Sequence, residues 1–391
     1  MTATPADRIE QAWVPGDRLP VIVVGAGAMG LEWIRMLSAS AYAVPVGVVD
    51  LNLDLAASAV AAAGIDGALV ATSIADVAER SGAKAVINVT VPQAHNTVNE
   101  QALRAGLPVL CEKPLAPTVA EALRQVALVN VTGGLLMVSQ SRRYFNHLAA
   151  FRRGVAGLGP LAAVHAQFYH ADHEPGFREQ MAHPLLVDMS IHHFDMVRYL
   201  TGDEPIAVRC SSWNPAWSWF AGDAAASAEF ELASGARFIY SGSRCTPGLQ
   251  TSWNADWHAY GEFGAAAWNG DSVVQVDTTE SSLAVGEASE GIEGSLEEFA
   301  SAVRSGTTPQ NEVRANVRSL AMVEAAVQSS DRGGERVVIA ELLEESLARA
   351  IADELHDDVA SQLQSWASAV DGIETPAWGR APALIASGGA E

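Results

Sequence analysis

Polar and apolar positions fall into two textures along the chain. Between Leu19 and about Gln140, short and uniformly apolar runs alternate with Ala-rich stretches of helical period: VIVV (Val21 to Val24), VGVV (Val46 to Val49), AVINV (Ala85 to Val89), PVL (Pro108 to Leu110) and LLMV (Leu135 to Val138). Strands that are apolar on both faces and separated by helices predict a doubly wound α/β domain around a parallel sheet. Ser73-Ile-Ala-Asp76 and Thr118-Val-Ala-Glu121 fit the capping box and mark helix starts between strands. Beyond Gly154 the pattern becomes an alternation, in AAVHAQFYH, IAVRCSSW and AEFELASGARFIYSGS, the last turning at Ser234-Gly235. A period of two predicts an α+β domain with an open, mainly antiparallel sheet. WHAYGEFGAAAWNGDSVVQV reads as two more strands, the chain is helical from Gly294 through Gln328, and VVIA closes the domain near Ala340.

One helical segment, HPLLVDMSIHHFDMVRYLTG (His183 to Gly202), interrupts the strands and embeds charge among apolar residues. Wound as an α-helix at about 100° per residue, it sets Asp188, His192 and Asp195 at about 0°, 40° and 340°. Met189, Met196 and Leu200 flank this stripe, and Ile191, Phe194 and Val197 occupy the other faces. A thin polar seam between apolar walls predicts a pocket lining, since buried charge is costly without a purpose. His193, at about 140°, points away and reads as structural. Asp195 is also spaced to pair with Arg198.

The 391 residues suit two domains plus an appendage. Lys and Arg total 24 against 46 Asp and Glu, a net charge of -22 that would repel a nucleic-acid backbone. Cys111, Cys210 and Cys245 form no CxxC pair, which argues against a disulfide framework or a zinc knuckle. The N-terminal residues contain no apolar leader-like run, and no uncharged apolar run approaches the ~20 residues of a membrane span. A cytoplasmic protein without membrane or nucleic-acid partners is expected.

VIVVGAGAMG places Gly25, Gly27 and Gly30 directly after the first strand, with Ala28 and Met29 between the last two. That context predicts a Rossmann dinucleotide turn: Gly25 for the tight bend, Gly27 for close approach of a pyrophosphate, Gly30 for helix-strand packing. Asp50 ends the second strand at the ~20-residue offset of a ribose-binding carboxylate. Leu51-Asn52-Leu53 offers no arginine for a 2′-phosphate, so NAD is expected over NADP. The same rim gathers Thr90, Pro92 and His95 from one loop and Glu112 and Lys113 from Cys111-Glu112-Lys113-Pro114. Lys113 falls where the nicotinamide end of a cofactor would lie, although pairing with Glu112 or capping a helix would also account for it. The expected organisation is residues 1–141 for the NAD-binding domain, 142–340 for the substrate-binding and oligomerisation domain, and 341–391 for a helical extension and tail.

GAGAMG, TVPQAHN, AGLPVLCEKPL, SRRYF, DMSIHHFDMVRYLTG, YGEFGAAAW and LAMVEAAVQSS, in that order over roughly residues 19–340, resemble the Gfo/Idh/MocA oxidoreductases. The resemblance implies that Lys113, Asp188 and His192 face the nicotinamide, with His192 as general acid/base, Lys113 polarising the reacting oxygen and Asp188 orienting and charging the site. An imidazole titrating near neutrality suits that task. It implies an NAD-dependent oxidoreductase acting on a secondary hydroxyl of a sugar, polyol or related carbohydrate, without a metal. A redox-neutral NAD-dependent glycosidase is the alternative chemistry, and a dinucleotide sensor a third. The approach Ala182-His183-Pro184-Leu185-Leu186 and the doubled His192-His193 depart from the family pattern and alter the pocket wall. Candidate substrate contacts are Arg143, Tyr144, His170, Asp172, Arg178 and His193; Arg178, Arg143 or Arg244 would suit an anionic group, and a plain surface charge would equally account for each. His170, Asp172 and His173 fit no familiar metal set. Trp213, Trp217, Trp219, Trp253, Trp257 and Trp268 would suit the C–H faces of a sugar ring, but are expected on the buried side of the sheet or at an oligomer interface. The resemblance also implies a homodimer or homotetramer, an interface that the segment after Ala340 would extend.

Overall fold

A computed structural model describes residues 17–173, 175–277 and 284–374. The apolar runs of the first half become β1 (Leu19–Val24), β2 (Ala43–Val49), β3 (Leu69–Ala71), β4 (Ala85–Asn88), β5 (Val109–Glu112) and β6 (Leu136–Ser139), all parallel in the order β3-β2-β1-β4-β5-β6. Only β3 lacks a sequence signal: it is three partly exposed residues at the sheet edge. Helices α1 (Ala28–Ala39), α2 (Leu53–Ala62), α3 (Ile74–Ser81), α4 (Pro92–Arg104) and α5 (Val119–Thr132) connect the strands. Their starts are chemically marked. Asn52 accepts from the Asp54 and Leu55 N–H groups, Ser73 from Asp76, and Thr118 from Glu121, while Pro92 occupies the first turn of α4. Strand order reverses between β1 and β4, and that switch opens a crevice beyond their carboxyl ends.

After α6 (Asn146–Ala156) the chain builds an eight-stranded mixed sheet from β7 (Leu161–Tyr169), β8 (Pro205–Trp213), β9 (Ala225–Leu232), β10 (Arg237–Ser243), β11 (Asp256–Gly261), β12 (Gly264–Trp268), β13 (Val274–Asp277) and β14 (Val337–Val338). All neighbours are antiparallel except β7 and β10. The region expected to hold two strands holds three, because the tight Glu262-Phe263 turn returns β12 on β11 and β13 pairs beyond it. VVIA is shorter as a strand than its composition suggests: only Val337 and Val338 pair with β8. Ile339 then opens a helix.

The inner sheet face buries Phe168, Phe230, Phe238, Tyr240, Trp257 and Trp268. Helix α7 (Ile191–Thr201) seats Phe194 edge-on against Phe230, Phe238 and Tyr240 at centroid distances of 4.8, 6.0 and 5.3 Å. The opposite sheet face alternates outward with Gln167, Glu229 and the half-exposed Tyr260. Trp257 and Trp268 are thus core residues, whereas Trp213 and Trp217 are exposed.

Residues Leu185–Ser190, just before α7, form a π-helix. Its wider turn breaks the uniform 100° wheel, so the expected three-residue seam divides. Asp195 turns into the core and receives Arg143 Nε and Nη2 at 2.6 and 2.7 Å, with Ser319 Oγ at 2.7 Å. Arg198 pairs with Glu204 rather than with Asp195. Ser319 lies on α9 (Val313–Asp331), which follows α8 (Gly291–Ser305). The closing helices α10 (Ile339–Asp353), α11 (Asp357–Gln364) and α12 (Ala369–Glu374) return to the first domain. Arg124 of α5 holds Glu354 at 2.6 Å, and Arg104 of α4 holds Asp358 at 2.8 Å. The acidic segment expected to extend an interface therefore spends its apolar face on its own chain, and the Pro/Gly/Ala-rich end, 375–391, lies outside the described residues.

Arg143→Met removes both bonds to a buried carboxylate. The expected cost is about 3–5 kcal/mol, because an unpaired buried charge is left behind. Thermal unfolding should show a Tm several degrees lower, and an unchanged Tm would show that the pair carries no stability.

Candidate active site

The crevice begins at the glycine turn. Gly25 has φ +103°, and a Cβ there would lie 2.7 Å from the Val89 carbonyl oxygen. A Cβ on Gly30 would fall 2.1 Å from the Gly25 oxygen, whereas Gly27 has open space on its cleft side. Gly25 and Gly30 are thus fixed by the chain's own packing, and Gly27 by what enters the cleft. Ala28 and Met29, in the first turn of α1, line the cleft beside it. Asp50 is anchored at the rim: Oδ2 accepts from the Ala26 N–H and Oδ1 from the Asn52 N–H, both at 2.8 Å. Thr90 and Pro92 also line this wall.

His95 departs from the expectation of a cofactor contact. It is fully buried, with Nδ1 2.7 Å from the Pro114 oxygen and Nε2 3.1 Å from the Thr90 oxygen, and so ties two rim loops together from behind. Glu112 lines the cleft, but its carboxylate accepts from Trp33 Nε1 and the Lys113 backbone N–H, and burial pushes its pKa up.

The Lys113 ammonium instead crosses the cleft. It donates to the Asp188 backbone oxygen at 3.0 Å and to Asp188 Oδ1 at 3.3 Å, on the π-helical turn of the second domain. Asp188 Oδ2 accepts from Arg178 Nε at 2.8 Å and Arg244 Nη1 at 2.5 Å. Burial alone would raise this carboxyl, but Lys113, Arg178 and Arg244 together hold it well below the usual carboxylate range. His192 lines the same wall, buried, with Nδ1 unpartnered. Burial first, then the charges of Arg142, Lys113 and His193, push its pKa well below 6.5. The ring is therefore neutral in this state, which corrects the expectation of titration near neutrality.

The remaining candidates separate. His170 lines the cleft, donates from Nε2 to the Thr251 oxygen at 2.9 Å and stacks on Trp253 at 4.1 Å. Arg178 lines it too. Arg143 does not, being committed to Asp195. The Tyr144 hydroxyl donates to Glu298 in α8, away from the cleft. Asp172 is half exposed, 3.6 Å from His170 Nδ1. His193 is structural, donating from Nε2 to the Trp253 oxygen and accepting the Tyr240 hydroxyl, with burial pushing it down to about 3. Among the described residues no group of three or more His, Cys, Asp and Glu could hold a metal ion. Sequence reasoning passed over Arg142 and Asn254 and expected Trp253 on the buried side of the sheet or at an interface, whereas all three lie on the cleft wall. Arg142 and Arg143 are adjacent, and nothing in the one-dimensional pattern separates the core arginine from the cleft arginine.

The cleft has a volume of about 2140 Å³, roomy beside the ~300–1,000 Å³ of ordinary ligand pockets. The Gfo/Idh/MocA oxidoreductase model described as an NAD-binding Rossmann fold matches residues 19–140, and the GFO/IDH/MocA C-terminal domain matches residues 156–267. The chain belongs to the Gfo/Idh/MocA oxidoreductase family. Inositol 2-dehydrogenase of an Arthrobacter species is 34% identical over 197 residues, 49% of this chain and 57% of that protein. Inositol 2-dehydrogenase 4 of Saccharopolyspora erythraea is 36% identical over 196 residues, 49% of this chain and 56% of that protein. The match thus spans little more than half the length of these curated relatives. Among solved structures, an Agrobacterium radiobacter oxidoreductase in complex with NAD+, L-tartaric acid and magnesium superposes with TM-score 0.73 at 18% identity, covering 83% of this chain and all of that one. The Bordetella pertussis WlbA dehydrogenase in complex with NADH and UDP-GlcNAcA gives TM-score 0.69 at 18% identity, covering 82% and 99%. The NAD-binding character of the first domain follows from the family match and the fold from the solved structures.

Two glycine substitutions should part binding from folding. Gly27→Ala is expected to keep the wild-type Tm and weaken NAD binding tenfold or more, measured by fluorescence titration. Gly30→Ala should lower the Tm, at a cost of about 1–3 kcal/mol for the overpacked contact. Equal NAD affinity in Gly27→Ala would take the glycine turn out of the cofactor site.

Proposed function

We propose that this Gfo/Idh/MocA oxidoreductase is an NAD-dependent dehydrogenase acting on a secondary hydroxyl of a sugar, polyol or related carbohydrate. The observation that carries the reading is the Lys113 to Asp188 contact, made across the cleft beside a neutral His192. Open space at Gly27 and the anchored Asp50 fit a dinucleotide stretched along the rim. Bound there, NAD would supply the acceptor for the hydride. His192, neutral and free of hydrogen bonds to described residues, takes the hydroxyl proton as that C–H bond breaks. Lys113 holds the developing alkoxide charge, and Asp188 holds Lys113 in place. The alcohol leaves as a carbonyl, poorer by one hydride, which carries both electrons, and by the hydroxyl proton that His192 has taken. The inositol 2-dehydrogenase relatives support a polyol or cyclitol substrate class. The outward-facing sheet surface around Tyr260 supports a homodimer or homotetramer, which light scattering tests.

His192→Ala is expected to bind NAD as wild type and to lose about 10²–10⁴-fold in kcat. In the wild type, kcat/KM should fall on the acid side with a midpoint below 6.5, because the free enzyme holds the base neutral down to that range. An acid limb above 6.5, or full turnover in the variant, removes His192 from this role. Screening sugars, polyols and glycosides with NAD while following absorbance and sugar products together tests the reaction class. Net NADH is the expected result; glycoside cleavage without NADH would overturn it in favour of a redox-neutral glycosidase.

A further inference from the structure

The reacting end of the cleft carries more positive charge than its own chemistry needs. Asp188 is one carboxylate, and it is met by three cations, Lys113, Arg178 and Arg244. Arg142 adds a fourth on the same wall. Its Nη1 donates to two neutral acceptors, the Trp253 backbone oxygen and Asn254 Oδ1, and it has no carboxylate partner among the described residues. The guanidinium is partly buried, in a chain whose net charge is -22. An uncompensated charge in such surroundings is costly unless a ligand balances it. Among the described residues its Nε and Nη2 have no hydrogen-bond partner, and neither do Nη1 and Nη2 of Arg178, which binds Asp188 through Nε. Two guanidinium groups with spare donors therefore line the same cleft as His192, and a guanidinium fork is the group that takes a carboxylate in bidentate fashion. Asp271, on the same wall, is already engaged by Ser252 Oγ at 2.6 Å.

We infer that the substrate is an acid: a hydroxylated carbohydrate bearing a carboxylate, of the uronate or aldonate class, whose anionic group is received by Arg142 with Arg178 while its hydroxyl faces His192 and Lys113. This deepens the dehydrogenase reading and rests on it for the reaction, though not for the binding. It also moves the anion-binding role from Arg143 to its neighbour.

The test uses matched pairs, D-glucuronate against D-glucose and D-galacturonate against D-galactose, with the full chain saturated in NAD. Binding is followed by calorimetry, turnover by NADH absorbance. The acids are expected to bind at least tenfold more tightly than their neutral partners, with affinity that falls as salt is raised. Arg142→Gln should reduce that acid-to-neutral ratio tenfold or more through KM, and Arg142→Lys should restore part of it. Neutral sugars that bind as well as the acids, an acid-to-neutral ratio untouched by Arg142→Gln at wild-type Tm, or acids that fail to bind would each overturn the inference. The two readings fail separately. Acids that bind but yield no NADH count against the dehydrogenase alone, whereas neutral sugars that reduce NAD while the acids neither bind nor react count against the acidic substrate alone.

Discussion

The arrangement turns on a single buried carboxylate. Asp188 draws Lys113 from the rim of the first sheet, Arg178 from the connection after β7 and Arg244 from the end of β10. Burying an isolated carboxylate costs several kcal/mol, and one exposed ion pair returns little of that. Three cations outweigh it, and the price is that each has been drawn from a different part of the chain. The Lys113 contact is thereby a statement about domain placement as well as chemistry. An ammonium at the end of β5 can reach the Asp188 backbone oxygen and carboxylate only if the π-helical turn faces the carboxyl ends of the parallel strands. The same contact that completes the carboxylate's coordination therefore sets the width of the cleft.

What the sequence discloses about this fold is what depends on near neighbours. Runs such as VIVV and AVINV lie inside a sheet because both faces are apolar, and the turn at Gly25 is legible because its tight positive-φ backbone demands glycine whatever the rest of the chain does. Ser73 and Thr118 announce helices by bonds made three residues away. The three residues of β3 announce nothing, since an edge strand that short has no period to display. Asp188, His192 and Asp195 share a stripe only on an ideal wheel, and the π-helical turn breaks it: two face the cleft and Asp195 meets Arg143 in the core. The neighbours Arg142 and Arg143 show the same limit. Which of them is structural depends on Asp195, more than fifty residues away, and on Ser319, further still.

Charge connects the binding site to the base. Burial keeps His192 neutral, and among the charges that reinforce this the largest is Arg142. A neutral imidazole is the right form for accepting a proton, but the same cations that keep it neutral oppose its becoming imidazolium. Proton transfer from a substrate hydroxyl leaves the total charge unchanged while creating a negative oxygen beside Lys113 and a positive ring beside Arg142. The first is favoured by the excess of cations; the second is not.

A carboxylate seated on Arg142 would cancel the neighbouring charge that most depresses His192. The base would gain proton affinity at the moment an acidic substrate occupies the cleft, and would lose it again on release. A neutral sugar could fill the same space and bring its hydroxyl to the same atoms, yet leave Arg142 uncompensated and the imidazole weak. Discrimination between the two would then appear in the chemical step as well as in binding, because the group that recognises the anion is also the group that tunes the base.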